Sequence, residues 1–287
     1  MRNMEEKIIK SVSEYINIIQ ELDISYPSHG ISNNPTIEKF LYRGIGDVNY
    51  PLLPCIFRKS ANNECYKYLF LTTEESLLKD FASHAAELLN IPSANLHRWA
   101  EYAQHFGVPT RLLDWTSNPL VALYFACSTN KDTVPAIWIL HRLNYYNFLM
   151  ENDVNSDSDL TIYELITLAI TGQYEYKFPI VYRPHYVDQR MGAQSSFFMA
   201  WGSETKALED MIPQDCYMKL SNKNKNTGVR AYGISQNKDF LISIKVSQNY
   251  KSDIIRQLDV LGINSKTLFP GLDGIGKYIE GKYKYTY

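Results

Sequence analysis

The chain has 287 residues, of which 45% are hydrophobic and 21% are charged, a composition typical of a soluble globular protein and not of a disordered one. The formal net charge of −2 gives no overall basic field, so the composition does not favour nucleic-acid binding, although it leaves room for a local basic patch. The four cysteines form no CxxC pair and have no histidine at metal-ligand spacing, which argues against a structural zinc site.

The first part of the chain predicts two helices and a strand. Apolar residues recur at helical spacing over residues 4–22 and again over residues 73–90, and residues 40–44 predict a short strand. The charged N-terminus lacks the continuous apolar run of a signal peptide, and no stretch approaches the length of a membrane span. We therefore expect a cytoplasmic protein with reduced cysteines and no membrane partner.

The central stretch, residues 99–127, organises the rest of the chain. Trp99, Tyr102 and Phe106 recur at helical spacing before Gly107, and a second helix is predicted from Pro119 onward. Residues 109–116 between them predict a polar turn. Polar groups held between two apolar helices form either a buried hydrogen-bonded network or part of a site, and the spacing alone favours neither.

The second half of the chain predicts a sheet with further helices. Strands are expected at residues 135–140, 178–182, 196–201 and 241–246, and helices at residues 144–151, 160–170 and 250–261. The C-terminal part, residues 239–287, completes the pattern. Because no repeat and no linker interrupts the chain, we expect one compact α+β domain over residues 1–287, with a mixed or antiparallel sheet flanked by helices.

Arg43 is the first candidate for chemistry, because its guanidinium follows a strand-like run and precedes a glycine that permits close approach of a ligand. It would bind a phosphate or a ribose-bearing ligand there, or it would be a buried arginine paired with Asp47 or Asp114. His105, near the end of a predicted helix, is either a general base or a partner of the helix C-terminus. Arg111 and Asp114 are three residues apart and would pair with each other, or Asp114 would cap the helix that starts near Asn118 or hydrogen-bond its neighbours.

Three further residues have both a structural and a functional interpretation. Tyr124 lies in an apolar helix, where packing in the core is the simpler role and stacking on an aromatic ligand is the alternative. Arg190 and Gln194 are one helical turn apart, but Gly192 between them makes a sharp turn equally plausible. The motifs GxxxxGK[ST], GxGxxG, HExxH and GxSxG are all absent from the sequence. Their absence argues against a P-loop NTPase, a Rossmann dehydrogenase, a zincin and an α/β-hydrolase.

These residues resemble the FRG domain family, which is named for a Phe-Arg-Gly motif. The motif is Tyr42-Arg43-Gly44 here, so its first position departs to tyrosine. Further similarity is carried by residues 50–58, by the central signature within residues 99–126, by Arg190, Gln194 and Phe197, and by residues 268–274. The resemblance thus covers nearly the whole chain.

The resemblance implies a bacterial or viral protein, since some members look like effectors in toxin or anti-phage settings. The order of the motifs is also similar to that of ADP-ribosyltransferases, which implies an arrangement of that kind and NAD as the substrate. Arg43 would then hold the phosphates or the nicotinamide ribose, Tyr124 would stack on nicotinamide, and Gln194 would stand where that superfamily has a catalytic glutamate. Residues expected at the NAD site on this analogy are Tyr42, Arg43, Gly44, Arg111, Thr116, Tyr124 and Arg190.

One departure from that superfamily affects the mechanism. The Glu-x-Glu pair is absent, because Glu204 and Glu209 do not have that spacing. A glutamine cannot act as a base, so the transfer would need Asp114 or His105, or an oxocarbenium-like path with electrostatic support only. The expected catalytic set is therefore Arg43, His105, Asp114 and Gln194, with no metal ligand.

Three functions follow as hypotheses. The first is an NAD-consuming transferase or glycohydrolase that acts on a protein or nucleic-acid acceptor and has a neutralising partner. The second is a nuclease-like effector with Arg43, His105, Arg111 and Asp114 around a scissile phosphate, although the carboxylate cluster of a two-metal site is absent. The third is a non-catalytic binding module. The sequence determines neither the acceptor nor the oligomeric state.

Overall fold

A seven-stranded sheet runs through the computed structural model, which describes residues 8–26, 38–58, 72–86, 88–89, 95–129, 132–152, 160–173, 176–185, 188–218 and 239–284. The spatial order of the strands is β1-β7-β4-β2-β3-β6-β5. β1 and β7 are parallel, and every other neighbouring pair is antiparallel. The strands are β1 (Ile8–Ile9), β2 (Phe40–Ile45), β3 (Leu112–Thr116), β4 (Ala136–His141), β5 (Ile180–Tyr182), β6 (Ser196–Ala200) and β7 (Leu241–Val246).

Helices flank this sheet, and the described residues form a single compact domain around it. The predicted α+β class with a mixed sheet flanked by helices is confirmed. The helices are α1 (Val12–Ser25), α2 (Thr72–Ala85), α3 (Leu96–His105), α4 (Pro119–Cys127), α5 (Arg142–Asn152), α6 (Ile162–Ile170), α7 (Gln189–Ala193), α8 (Leu208–Met211), α9 (Lys251–Val260), α10 (Ser265–Leu268) and α11 (Leu272–Lys284).

Two separate groups of helices cover one face of the sheet. Helices α1, α4 and α9 bury apolar residues against the half that contains β2, β4 and β7. Helices α2, α3 and α6 do the same over the half that contains β3 and β6, with Tyr182 of β5. Because side chains alternate along a strand, the next residue in each strand faces the opposite side, where a third and larger apolar cluster includes Trp115, Trp138 and Trp201.

The glycine of the Tyr42-Arg43-Gly44 sequence lets α4 lie directly on β2. A Cβ atom at Gly44 would be 1.8 Å from the carbonyl oxygen of Ala122 and 2.7 Å from the backbone nitrogen of Ala126. Both atoms belong to α4, which begins with Pro119 after the side chain of Asn118 has capped its first amides. The close approach therefore explains the glycine as a packing requirement.

Most of the predicted elements are confirmed, and two predictions are wrong. The predicted helix over residues 4–22 begins only at Val12, because Ile8 and Ile9 pair with β7 as a strand; residues 1–7 lie outside the described part. Residues 109–116 are not a turn throughout, since Leu112–Thr116 is strand β3. Its alternation of buried Leu113 and Trp115 around Asp114 is a strand pattern, and the five residues are too few to display it clearly.

Candidate functional site

An opening lies over the middle of the sheet, between the two groups of helices. β3 is an interior strand, with β2 on one side and β6 on the other. Its residue Asp114 faces the side that carries both helix groups, yet its side chain is 60% exposed. A charged side chain exposed at the centre of a helix-covered face indicates that neither group of helices covers this point. We call this opening the cleft; Gln104 and His105 lie beside Asp114 on that face, Arg190 lies near His105, and Arg43 comes from the opposite face to meet Asp114 between the strands.

Arg43 reaches the cleft because the two central strands part. β2 and β3 pair at a single position, Tyr42 with Thr116. Beyond it, Nη1 of Arg43 donates to the backbone carbonyl of Asp114 at 2.5 Å and lies 3.9 Å from Oδ2 of the Asp114 side chain. The arginine thus takes the place of ladder hydrogen bonds that the parted strands no longer form.

The guanidinium of Arg43 retains capacity to bind an anion. Its side chain is 16% exposed, and Nε is buried without a hydrogen-bond partner among the described residues. Burial lowers the pKa of Arg43 to about 10, while the neighbouring Asp114 raises it and Arg58 lowers it further. The group therefore stays charged at neutral pH but is incompletely neutralised, and a buried donor without a partner favours an acceptor from outside.

The carboxylate of Asp114 is oriented by a short hydrogen-bonded chain. Gln104, near the end of α3, donates from Nε2 to Oδ2 of Asp114 at 2.9 Å. The buried hydroxyl of Thr110 donates to Oε1 of Gln104 at 2.6 Å. Because an ionised carboxylate only accepts hydrogen bonds, the end of the Gln104 amide that faces Asp114 is the NH₂ group, and Oε1 is left to accept from Thr110. Thr110 and Gln104 therefore hold the carboxylate in one orientation.

His105 carries a carboxylate partner of its own. Nε2 of His105 lies 2.5 Å from Oδ2 of Asp188, whose other oxygen caps α7 by accepting from the backbone nitrogen of Arg190 at 2.7 Å. Burial lowers the pKa of His105, Arg190 lowers it further, and Asp188 and Asp114 oppose the shift. A neutral imidazole that donates its Nε2–H to Asp188 keeps a lone pair on Nδ1, as a general base requires.

Aromatic side chains lie around the cleft. The ring of Phe106 is 63% exposed and packs edge-on against His105 at a centroid distance of 5.0 Å. On the other side, the guanidinium of Arg190 stacks over Phe269 at 4.8 Å, and Phe125 contacts the same ring at 6.0 Å. Nε of Arg190 is buried and has no hydrogen-bond partner in the described part of the chain. The cleft therefore combines two arginines, one carboxylate–imidazole pair and exposed aromatic surface.

The comparison with protein-family models matches residues 38–134 to the FRG domain. This part of the chain is thus similar to the FRG domain family. The match begins just before β2 and ends just before β4, so it contains Arg43, Gln104, His105 and Asp114. Comparisons with the curated proteins and with the solved structures gave no match. The expectation that residues 1–287 form one FRG-type domain stays a prediction beyond the matched residues, as does the ADP-ribosyltransferase-like arrangement.

Four predicted NAD-site residues make their contacts away from the cleft. Arg111 is fully buried and donates from Nε to Glu74 of α2 at 2.6 Å, so its partner is Glu74 and not Asp114. Tyr42 is buried under the α1, α4 and α9 helices, and burial raises its pKa. Tyr124 packs against the same cluster and interacts with Ser265. Gly44 lies directly against the backbone of α4.

Gln194 and Thr116 serve as structural ties. The hydroxyl of Thr116 donates to the backbone carbonyl of Gln194 at 2.6 Å, and Nε2 of Gln194 donates to the carbonyl of Leu268 at 2.9 Å. Next to them, Ser195 adopts a φ of 49°, and its carbonyl accepts from the backbone nitrogen of Ser117 at 3.0 Å. These contacts fasten the end of β3 to the start of β6 and to α10, and the role of Gln194 in place of a catalytic glutamate stays a prediction.

Three residues that position the site were missing from the predicted set, namely Asp188, Thr110 and Gln104. Asp188 has a helix-capping signal in the sequence, but its pairing with His105 joins residues far apart in the chain and has no local signature. Thr110 acts through Gln104 and is itself buried. The predicted pairing of Arg43 with Asp114 is found, and the carboxylate of Asp114 remains exposed to solvent in this pair.

Other features of the described residues lie away from the cleft. A groove of about 600 Å³ between the start of α1 and α9 is lined by mixed charges and contains none of the predicted site residues. Within the described ranges, no group of three His, Cys, Asp or Glu side chains could hold a metal ion. No described helix has the length and apolar character that a membrane span requires.

Proposed function

We propose that the cleft binds NAD and breaks the bond between nicotinamide and ribose, as an ADP-ribosyltransferase or NAD glycohydrolase does. The observation that carries the proposal is the meeting of Arg43 and Asp114 at the point where β2 and β3 part. Arg43, a cation with an unused buried donor, then lies beside the exposed carboxylate of Asp114. Arg43 fits the phosphates or ribose of a dinucleotide, and Asp114 fits the positive charge that develops on the ribose.

The bond change assigns a role to Asp114. When the bond between ribose C1′ and the nicotinamide nitrogen breaks, both electrons go to that nitrogen, so nicotinamide leaves neutral. The positive charge then resides on C1′ and the ring oxygen of the ribose. A carboxylate held in place by Gln104 stabilises this oxocarbenium-like charge without having to reorganise, which is the main requirement for electrostatic catalysis.

The pair of His105 and Asp188 completes the reaction. Water or an acceptor hydroxyl adds to C1′, and its proton passes to Nδ1 of His105, whose Nε2 faces Asp188. Water as the nucleophile makes the protein a glycohydrolase, and a side chain or a nucleotide makes it a transferase. Phe106, exposed next to His105, offers the stacking surface that Tyr124 does not provide.

The test is release of nicotinamide from NAD by the purified protein and by matched variants. Asp114→Asn and His105→Asn should each reduce the rate about 10²- to 10⁴-fold, the range for loss of an electrostatic or general-base contribution. Asp80→Asn and His84→Asn are the controls, because both side chains are exposed on α2, at 76% and 80%. Arg43→Lys should mainly raise the KM, with Arg256→Lys as its control. Wild-type protein that neither binds NAD nor releases nicotinamide would refute the proposal.

The same experiment with labelled NAD and cell lysate identifies the class of acceptor. We place the protein, on the family resemblance, among cytoplasmic effectors of toxin or anti-phage systems, with a protein or nucleic-acid acceptor and a neutralising partner. Label that is lost on protease treatment identifies a protein acceptor, and label that is lost on nuclease treatment identifies a nucleic acid. Absence of label together with nicotinamide release identifies a glycohydrolase. Salt-sensitive cleavage of nucleic acid without NAD would instead support the nuclease-like hypothesis.

A further inference from the structure

Arg190 places an unused guanidinium beside the proposed base. Oδ2 of Asp188 lies 2.5 Å from Nε2 of His105, and Oδ1 accepts from the backbone nitrogen of Arg190 at 2.7 Å. Burial lowers the pKa of His105 and Arg190 adds to this lowering, so its charge lies near the imidazole. The Arg190 side chain makes no hydrogen bond or ion pair within the described residues, and its Nε is buried. The donors of this planar fork are therefore left for an acceptor from outside.

Two lysines continue the positive charge from Arg190. The guanidinium lies over the Phe269 ring at 4.8 Å, and Nζ of Lys277 is 5.6 Å from the centroid of the same ring. Nζ of Lys266 is 5.2 Å from the ring of Tyr278, the next residue in α11. Neither lysine forms an ion pair with any other described residue. We call Arg190, Lys277 and Lys266 the cationic row.

Packing between α7, α10 and α11 holds the cationic row in place. Nε2 of Gln194, which ends α7, donates to the carbonyl of Leu268 in α10 at 2.9 Å. A Cβ atom at Gly274 would be 1.9 Å from the carbonyl oxygen of Phe269, so α11 lies directly on the end of α10. The backbone under the three cations is therefore fixed, which reduces the entropic cost of binding a ligand along them.

We infer that the cationic row binds the phosphates of a single-stranded nucleic acid, which makes nucleic acid the acceptor in the proposed transfer. The inference rests on the proposed function, since His105 is the base there. Each phosphate of a strand carries one negative charge, which suits a row of separate cations, and an arginine fork binds phosphate oxygens in pairs. Basic side chains placed among aromatic rings are typical of surfaces that bind single strands. Because the net charge of the protein is −2, the affinity must come from this local row.

The cationic row assigns Arg190 to the acceptor, whereas Arg43 remains with NAD. The bond between ribose C1′ and the nicotinamide nitrogen breaks, and both electrons go to nicotinamide. A hydroxyl oxygen of the bound nucleic acid forms the new bond to C1′, and its proton passes to Nδ1 of His105. Phosphates anchored next to that hydroxyl lower the entropic cost of bringing the acceptor to C1′.

The test is the binding of fluorescein-labelled single-stranded RNA and DNA of about 12 nucleotides to the full chain without NAD, followed by fluorescence anisotropy. Arg190→Gln combined with Lys277→Gln should weaken binding at least about tenfold. It should also reduce the slope of log K against log salt by about 1.4, since each lost phosphate contact accounts for about 0.7 on a single strand. Lys79→Gln combined with Arg256→Gln removes the same charge from α2 and α9, where these side chains are 66% and 73% exposed, and should bind like wild type.

A second pair of substitutions covers the case in which the variant of the half-buried Arg190 does not fold. Lys266→Gln combined with Lys277→Gln changes only exposed side chains and should give a similar loss. Wild-type protein that does not bind either oligonucleotide, or equal losses in the row variants and their control, would overturn the inference. Tighter binding of an oligoglutamate peptide of equal charge would overturn it too. Row-dependent binding by a protein that releases no nicotinamide would support the row and refute the proposed function alone.

Discussion

Glu101→Gln should stabilise the protein, and the gain should depend on pH. Glu101 of α3 is 0% exposed, and burial raises its pKa, so the folded protein keeps the Glu101 proton up to about pH 8, whereas an exposed glutamate releases it near 4.5. Between those values the unfolded chain binds fewer protons, so the free energy of unfolding falls as the pH rises, by about 1.4 kcal/mol per unit. The two pKa values differ by about 3.5, so burial of Glu101 lowers the free energy of unfolding by at most about 5 kcal/mol. About 3 kcal/mol of this loss is present at pH 7.

Glutamine has nearly the same shape and no charge, so it removes this penalty. Urea unfolding of wild type and Glu101→Gln should give similar stabilities near pH 4.5, a gain of about 3 kcal/mol at pH 7 and a larger gain above pH 8. Asp80→Asn is the control, because its carboxylate is 76% exposed and its replacement leaves the buried Glu101 unchanged. A Glu101→Gln difference that stays constant with pH would show that Glu101 ionises normally, and the argument from burial would then be wrong.

Three other substitutions test the packing that supports the cleft. Gly44→Ala should cost at least about 2–3 kcal/mol in thermal or urea unfolding, because α4 must move away from β2, whereas Gly276→Ala, which has open space around it, should not. Ser195→Gly should stabilise by about 1 kcal/mol, since only the serine is strained at a φ of 49°, and an unchanged melting temperature would contradict this. Glu74→Ala should cost about 3–5 kcal/mol because it leaves the Arg111 guanidinium buried without its carboxylate; a loss below 1 kcal/mol would show that water replaces it.

The sheet could be predicted from the sequence where strands are long and apolar. β4 and β7 lie within about one residue of their predicted ranges, because six consecutive residues with strand alternation or continuous burial leave little ambiguity. β3 was mistaken for a turn, because it has five residues and carries a charge at its centre. The exposed Asp114 that disguised the strand is also the residue that marks the cleft. The local pattern failed there because an exposed carboxylate lies in an otherwise apolar layer.

The site residues also divide into those that the local sequence indicates and those that depend on tertiary contacts. Arg43, His105 and Asp114 come together as the sequence suggested, since each belongs to a short segment whose polar character stands out. The pairing of Asp188 with His105 depends on how the chain returns after β5, and Arg111 finds Glu74 on a helix 37 residues earlier. No local pattern carries such tertiary information. An arginine in a polar segment is equally compatible with a buried ion pair and with a ligand site, and burial alone separates Arg111 from Arg43.

The Tyr42-Arg43-Gly44 sequence is best understood through strand geometry. Side chains alternate along β2, so Tyr42 and Gly44 must share one face while Arg43 is directed away from it. Tyr42 packs under the helices and Gly44 admits α4, which together fix the helix against the strand. Arg43, excluded from that face, can act only where β2 separates from β3, and there it meets Asp114. The two outer positions therefore build the scaffold, and the proposed chemistry depends on the middle one. Tyr42→Phe should accordingly leave NAD affinity intact, whereas Arg43→Gln should abolish it in a folded protein.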